Sequence, residues 1–375
     1  LDGLKKLINL PASRPLLLCG VGDRELLRNR VRKGRWNEIM KEKLKRCDEA
    51  LEEPIPQLPR SLYDDFLRTG RRDPFQRPYH YRRTMAEDLA LAYILTGKSE
   101  YLERCRDYIW AIMEEFTWVV PAHVRLRLRP GAVTQVDLYS SGTALLLADL
   151  WDLLQNDLDS ETLEWMRHNI LYRVLVPLRD RYDEQRWARN YESNWCGVCC
   201  GNSGCALILT ALDEPWAVEL LHKLLRSIDG FLSTADPGGA WVEGVGYWFY
   251  GFSRVVFLSD LLAKVTDGCV DLLEDPRIRA AATFPVWMYL PPHSQVNFGD
   301  TGGTVGIYPD VLRRFQDRYR EPSIALYIHR LEEEGLLGGG SLRDLLWEST
   351  SDLQPLPPEE TSRWYRRIEV IVTRS

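Results

Sequence analysis

From Thr84 onward, apolar residues recur at spacings of three and four, and short polar breaks interrupt the pattern at intervals. MAEDLALAYILTGKSEYLERCRDYIWAIMEEF predicts a helical hairpin with its turn at Gly97, Lys98 and Ser99. A second hairpin is predicted from Ser140 to Leu178, with a turn at 156–160 marked by Asn156, Asp157, Asp159 and Ser160. A third runs from Asn202 to Leu232 around Asp213, Glu214 and Pro215, and a fourth begins at Tyr247. The spacing is roughly 50 to 60 residues and irregular, which is repeated architecture without strict sequence repetition. In each pair the first helix is rich in small or wholly apolar residues and the second is amphipathic. That asymmetry predicts an inner helix buried all round and an outer one with a wet face.

The fold expected is therefore mainly α: an incomplete (α/α) toroid of helical hairpins over 61–355, whose inner-helix ends and loops line a cleft. Residues 1–60, with the Pro-punctuated EEPIPQLPR, read as an N-terminal helical arm. Strand signals are few. HVRLRLRP at 123–130 alternates with period two, and SRWYRRIEVIVTRS, inside the segment 356–375, reads as one or two strands.

Composition narrows the function classes. With 48 basic and 54 acidic side chains the formal charge is −6, so no bulk positive field draws the chain to nucleic acid. No apolar run approaches the roughly 18 residues of a membrane span. The opening residues carry no secretory signal pattern. Compartment stays open, because crowded unpaired cysteines favour a reducing interior whereas a polysaccharide substrate favours export. The 13 Trp, 17 Tyr and 10 Phe suit a sugar cleft, but they suit an ordinary core equally well.

Two motifs are set aside. Cys196, Cys199, Cys200 and Cys205 offer four thiolates, yet GVCCGNSGCALIL reads as the small-residue start of a buried helix, so no metal is expected there. FGDTGGTVG lacks the Lys-Ser/Thr of a phosphate loop. No cofactor is expected.

Two loops preceding inner helices carry chemistry. One spans Trp187 to Trp195 with Arg189 and Asn194; the other holds Asp236, Gly239, Trp241, Glu243, Gly244, Tyr247 and Tyr250. If consecutive inner helices are neighbours, Asn194, Glu243, Tyr247 and Tyr250 face one ligand. The pairing of Asn194-Trp195 at the head of the cysteine helix with Glu243-Gly244-x-x-Tyr247 resembles the heparinase II/III-like and related alginate lyase families, over roughly residues 80–375. The resemblance implies an α/α toroid backed by a β-sandwich, of which IEVIVTRS would be the first strand. It also implies a polysaccharide lyase acting on an acidic, uronate-containing glycan, with Asn194 neutralising the carboxylate and Tyr247 as base and acid. Arg189, Trp195, Glu243, Tyr250, His80 and His293 are the candidate substrate-binding residues.

Departures and rivals belong beside that expectation. Members of these families often carry His directly after the Asn, where this chain has Trp195; a further catalytic His comes from the sandwich. His80, His123 and His293 are the substitutes nearest by chain position. Asn194 also suits a helix N-cap, and Glu243 suits an ion pair or a cap. Tyr247 suits core packing as well. The Arg clusters at 68–83 and 125–129 read as either a polyanion-binding rim or solvated surface. Two other functions remain open: a glycoside hydrolase using carboxylates among Glu243, Asp300 and Asp236, and a glycan-binding protein without chemistry.

Overall fold

The computed structural model describes residues 1–8, 17–124, 133–303, 307–348 and 353–374, and over these the chain is mainly helical. They group into two compact units. One comprises Leu10–Gln185 with Asn202–Leu221; the other comprises Leu1–Asn9, Arg186–Gly201 and His222–Ser375.

In the first unit the expected hairpins form. Asp73–Thr96 and Ser99–Met113 reverse at Gly97, whose φ of +75° allows its N–H to reach the Tyr93 carbonyl at 2.7 Å and close the helix. The first helix starts eleven residues before the expected Thr84, so much of the 68–83 arginine cluster is helical, and Arg82 and Arg83 turn inward onto Glu115 instead of forming a rim. The 125–129 cluster lies outside the described residues, as does most of the alternating stretch 123–130.

Leu138–Leu154 and Ser160–Ile170 make the second hairpin. Asp137 caps the former, accepting the Ser140 N–H at 2.7 Å, and Asp159 caps the latter, accepting that of Thr162 at 2.8 Å. Thirteen of the seventeen residues in Leu138–Leu154 are buried, against four of the eleven in its partner. This is the difference that the apolar patterning predicts. Gly34–Glu52, within the stretch read as an arm, docks on the first hairpin: Lys43 and Arg46 pair with buried Asp88, and the Arg104 guanidinium reaches the Ala50 carbonyl at 2.8 Å.

The second unit is organised around Val245–Val265. Phe231, Trp241, Trp248 and Phe252 form its aromatic core, with ring centroids 4.4–5.9 Å apart. The chain then passes through Pro276–Ala282, Phe284–Met288, a two-residue antiparallel pair (Tyr289–Leu290 with Ser294–Gln295) and the helices Pro309–Tyr319 and Pro322–Glu333. Of the one or two strands expected near the chain end, two form, as an antiparallel hairpin of Ser362–Tyr365 with Val370–Thr373 in register Trp364↔Ile371. Buried Tyr365 packs edge-on against Phe284, and the Arg367 N–H donates to Asp236 at 2.7 Å, which fixes the hairpin to its own unit.

Candidate functional site

Asn194 opens the cysteine helix Asn194–Thr210, and Tyr247 lies in the first turn of Val245–Val265. Two close approaches hold them together within the second unit. A Cβ added to Gly201 would fall 2.5 Å from the Arg254 carbonyl oxygen, so only glycine lets the two helix backbones come this near. A Cβ added to Gly251 would lie 3.6 Å from the Asn194 Cβ. Gly251 is one turn beyond Tyr247 on the same face, so Asn194 stands beside the stripe that carries the phenol.

Glu243 ties the two segments. Its Oε2 accepts the Asn194 backbone N–H at 2.7 Å and the Trp241 indole N–H at 3.0 Å. Gly244 follows at φ +88°, where a side chain would be strained and would strike Thr301. The Thr301 hydroxyl donates to the Glu243 carbonyl and accepts the Gly246 N–H, both at 3.1 Å, while the Asp300 N–H reaches the same Glu243 carbonyl at 3.2 Å. Glu-Gly-x-x-Tyr thus supplies an acceptor, a left-handed turn, and a phenol presented from a clamped helix start. The loop 298–303, part of the stretch that fails as a phosphate loop, provides the clamp.

The capping use open to Asn194 falls instead to Ser193, whose hydroxyl accepts the Trp195 N–H at 3.4 Å. The Asn194 side chain is 1% exposed, and its Nδ2 has no hydrogen-bond partner. A buried amide donor left so costs about 1–3 kcal/mol. Tyr247 is half-buried, and its hydroxyl makes no hydrogen bond among the described residues. The site therefore offers a buried amide donor and a half-buried phenol, neither of which the fold itself uses.

The remaining candidates separate. Trp195 and Tyr250 are half-buried in the same unit, and Arg189 is exposed there. His293 is exposed at the turn between the two short strands, where its N–H donates to Glu334 at 2.9 Å. His80 belongs to the first unit, its ring 5.5 Å from that of Tyr139. His123 lies near the same tyrosine and pairs with buried Asp137 at 2.6 Å. Asp236 accepts the N–H groups of Gly238 and Arg367, both at 2.7 Å, so its carboxylate serves the loops around it.

All four clustered cysteines are buried free thiols, and Cys196 is pushed well above the usual thiol range by its hydrogen bond to Cys200 and by burial. Among the described residues no group of three or more His, Cys, Asp or Glu side chains is placed to hold a metal ion, and no helix is long and apolar enough to cross a membrane. A cavity of about 610 Å³ in this unit lies away from Asn194 and Tyr247, lined by Arg279, Tyr319, Arg363 and Trp364 among others. In this surface groove Arg363 already pairs with Glu360 and the Tyr319 hydroxyl with the Leu273 carbonyl, whereas the Asn194 amide and the Tyr247 hydroxyl are unused, so the chemistry points to Asn194 and Tyr247 instead.

Burial, reinforced by Asp300, raises the Glu243 carboxyl above its ordinary value, against the opposing pull of the Trp241 and Asn194 donors. A raised acid stabilises the fold below its unfolded value, about 4.3, and that contribution is lost as pH rises through the folded value. Gln at this position keeps an acceptor oxygen without the charge. Glu243→Gln is therefore expected to gain in denaturation midpoint relative to the parent as pH rises from 4 to 7; a gap that stays constant over this window contradicts the assignment.

No protein-family model matches the chain, and no curated protein matches it either.

Proposed function

We propose that this protein is a polysaccharide lyase that cleaves an acidic, uronate-containing glycan by β-elimination. The hairpins would curl as an incomplete (α/α) toroid. The observation that carries the reading is the pairing of two unused groups, the Asn194 amide and the Tyr247 hydroxyl, on segments joined by Glu243.

The chemistry follows from those two groups. The C5 proton of a uronate is weakly acidic until the adjacent carboxylate is quenched, and an amide N–H donated to that carboxylate stabilises the charge that develops on it. Reacting as its phenolate, the Tyr247 oxygen takes the C5 proton, the electron pair forms the C4–C5 double bond, the C4–O4 bond breaks, and the phenol so formed passes that proton to O4, which restores the phenolate. Because Nδ2 has no exposed surface, a rotation of the Asn194 side chain must accompany substrate entry. The buried donor then exchanges a vacancy for a charged acceptor, so its ground-state cost is relieved on binding.

The test is near-ultraviolet absorbance during incubation with heparan, hyaluronan, chondroitin, alginate and bacterial uronate polymers. A rise, from the unsaturated uronate that elimination creates, is the expected result. New reducing ends without absorbance would replace elimination by hydrolysis, and silence in both assays would leave glycan binding without turnover.

A further inference from the structure

Val245–Val265 is buried nearly all round, but over its first ten residues Gly246, Tyr247, Tyr250 and Arg254 keep solvent access. At 100° per residue the last three lie within about 60° of one another, forming a single stripe of two phenols and a guanidinium. Arg254 is the unusual member. It makes no side-chain hydrogen bond or ion pair among the described residues, and its Nε is buried without a partner. Its guanidinium carbon sits 5.0 Å from the Phe257 ring centroid and 5.9 Å from that of Tyr250, so aromatic faces support the group without satisfying its donors. Asp310 is near enough to feel this charge, yet burial holds its carboxyl above the usual range and it forms no salt bridge to Arg254. A half-buried cation with empty donors, on the stripe that presents Tyr247, is a built receptor for an oxyanion.

We propose that Arg254 binds an oxyanion of the glycan, a uronate carboxylate or a sulfate ester, next to the sugar that Tyr247 deprotonates. This rests on the elimination reading above. Seven residues of helix separate the two side chains, a rise of about 10 Å, or roughly two pyranose rings. In a polymer with alternating uronates, the next uronate carboxylate recurs at that interval. Arg254 would then set the register of the chain and its preference for polyanions, leaving the proton transfers to Tyr247.

The test compares Arg254→Gln and Arg254→Lys with the parent on sulfated and desulfated uronate polymers. The expected result is a KM raised at least tenfold in Arg254→Gln with kcat within a few-fold, and partial rescue by Lys, which keeps the charge but not the planar fork. A rise confined to sulfated polymer identifies a sulfate ester; the same rise on both identifies the carboxylate. An unchanged KM overturns the assignment while leaving elimination by Tyr247 intact. Should Gln fail to fold, the Lys variant decides, since its KM must also exceed the parent's. If the parent turns over no polymer, elimination fails, and Arg254 is judged by thermal stabilisation in sodium sulfate and in sodium glucuronate. Stabilisation lost in Arg254→Gln and kept in Tyr247→Phe supports the site, whereas equal stabilisation in all three, or none in the parent, removes it.

Discussion

Tyr247→Phe is expected to lower kcat for elimination by about 10² to 10⁴-fold, the worth of a positioned general acid–base group, while KM and fold stability stay near the parent's. The magnitude is large because the phenol would carry both proton transfers. The stability half of the expectation comes from the structure: the hydroxyl has no protein partner among the described residues, so its removal orphans no donor or acceptor. Phe keeps the ring, hence whatever the ring contributes to packing in the first turn of Val245–Val265. The initial rate of absorbance increase and the urea midpoint, read on the same preparation, separate the two uses of this residue. Full activity in the variant would return Tyr247 to the core.

How much of this site is legible in the sequence depends on distance along the chain. The turns at Gly97, at 155–159 and around Asp213 are legible, because a hairpin break is written locally in glycine and in capping Asp or Ser. The terminal strand pair is legible from the strand-forming pattern of SRWYRRIEVIVTRS, not from its turn, whose residues 366–369 are Arg, Arg, Ile and Glu. Glu243 and Tyr247 can be singled out, but the function of the glutamate cannot: its acceptor role toward Asn194 joins residues 49 apart, and Thr301 clamps the same turn from 58 residues away. Nothing local marks such pairings. At Asn194 the sequence leaves a helix cap open beside the carboxylate-neutralising use, because Asn is a good cap, and only the structure shows that its neighbour Ser193 takes that part and leaves the amide idle. Composition misleads most at Arg82 and Arg83, since a cluster of arginines looks the same in sequence whether it faces water or a buried carboxylate. Arg254 escapes a sequence reading because a lone arginine in a helical run usually reads as surface, and only the empty donors around it distinguish it.

The largest stability effect is expected in the first unit, where Glu115→Ala should cost about 3–5 kcal/mol, the usual result of breaking a buried ion pair from one side. The Glu115 side chain is 3% exposed and lies between Arg82 at 3.3 Å and Arg83 at 2.7 Å. Arg82 retains the Pro56 and Ala111 carbonyls at 2.7 and 2.8 Å, so it has other acceptors when the carboxylate is lost. Arg83 retains the Tyr79 carbonyl and the Thr143 hydroxyl, but both are neutral, and its guanidinium also lies over the Tyr79 ring at 3.3 Å. Tyr79 in turn donates its buried hydroxyl toward the Trp118 carbonyl, so a shift of Arg83 toward water would disturb a second buried network. The cost should therefore come from an uncompensated charge more than from lost contact area. Glu115→Gln tests that distinction: it preserves size and one acceptor, yet should still lose most of the stability. Arg83→Met combined with Glu115→Leu removes one cation together with the carboxylate and should recover much of the loss, because paired desolvation costs are relieved together. Urea midpoints at unchanged m read all three variants, and a Glu115→Gln midpoint equal to the parent's would show that the charge pair contributes nothing net.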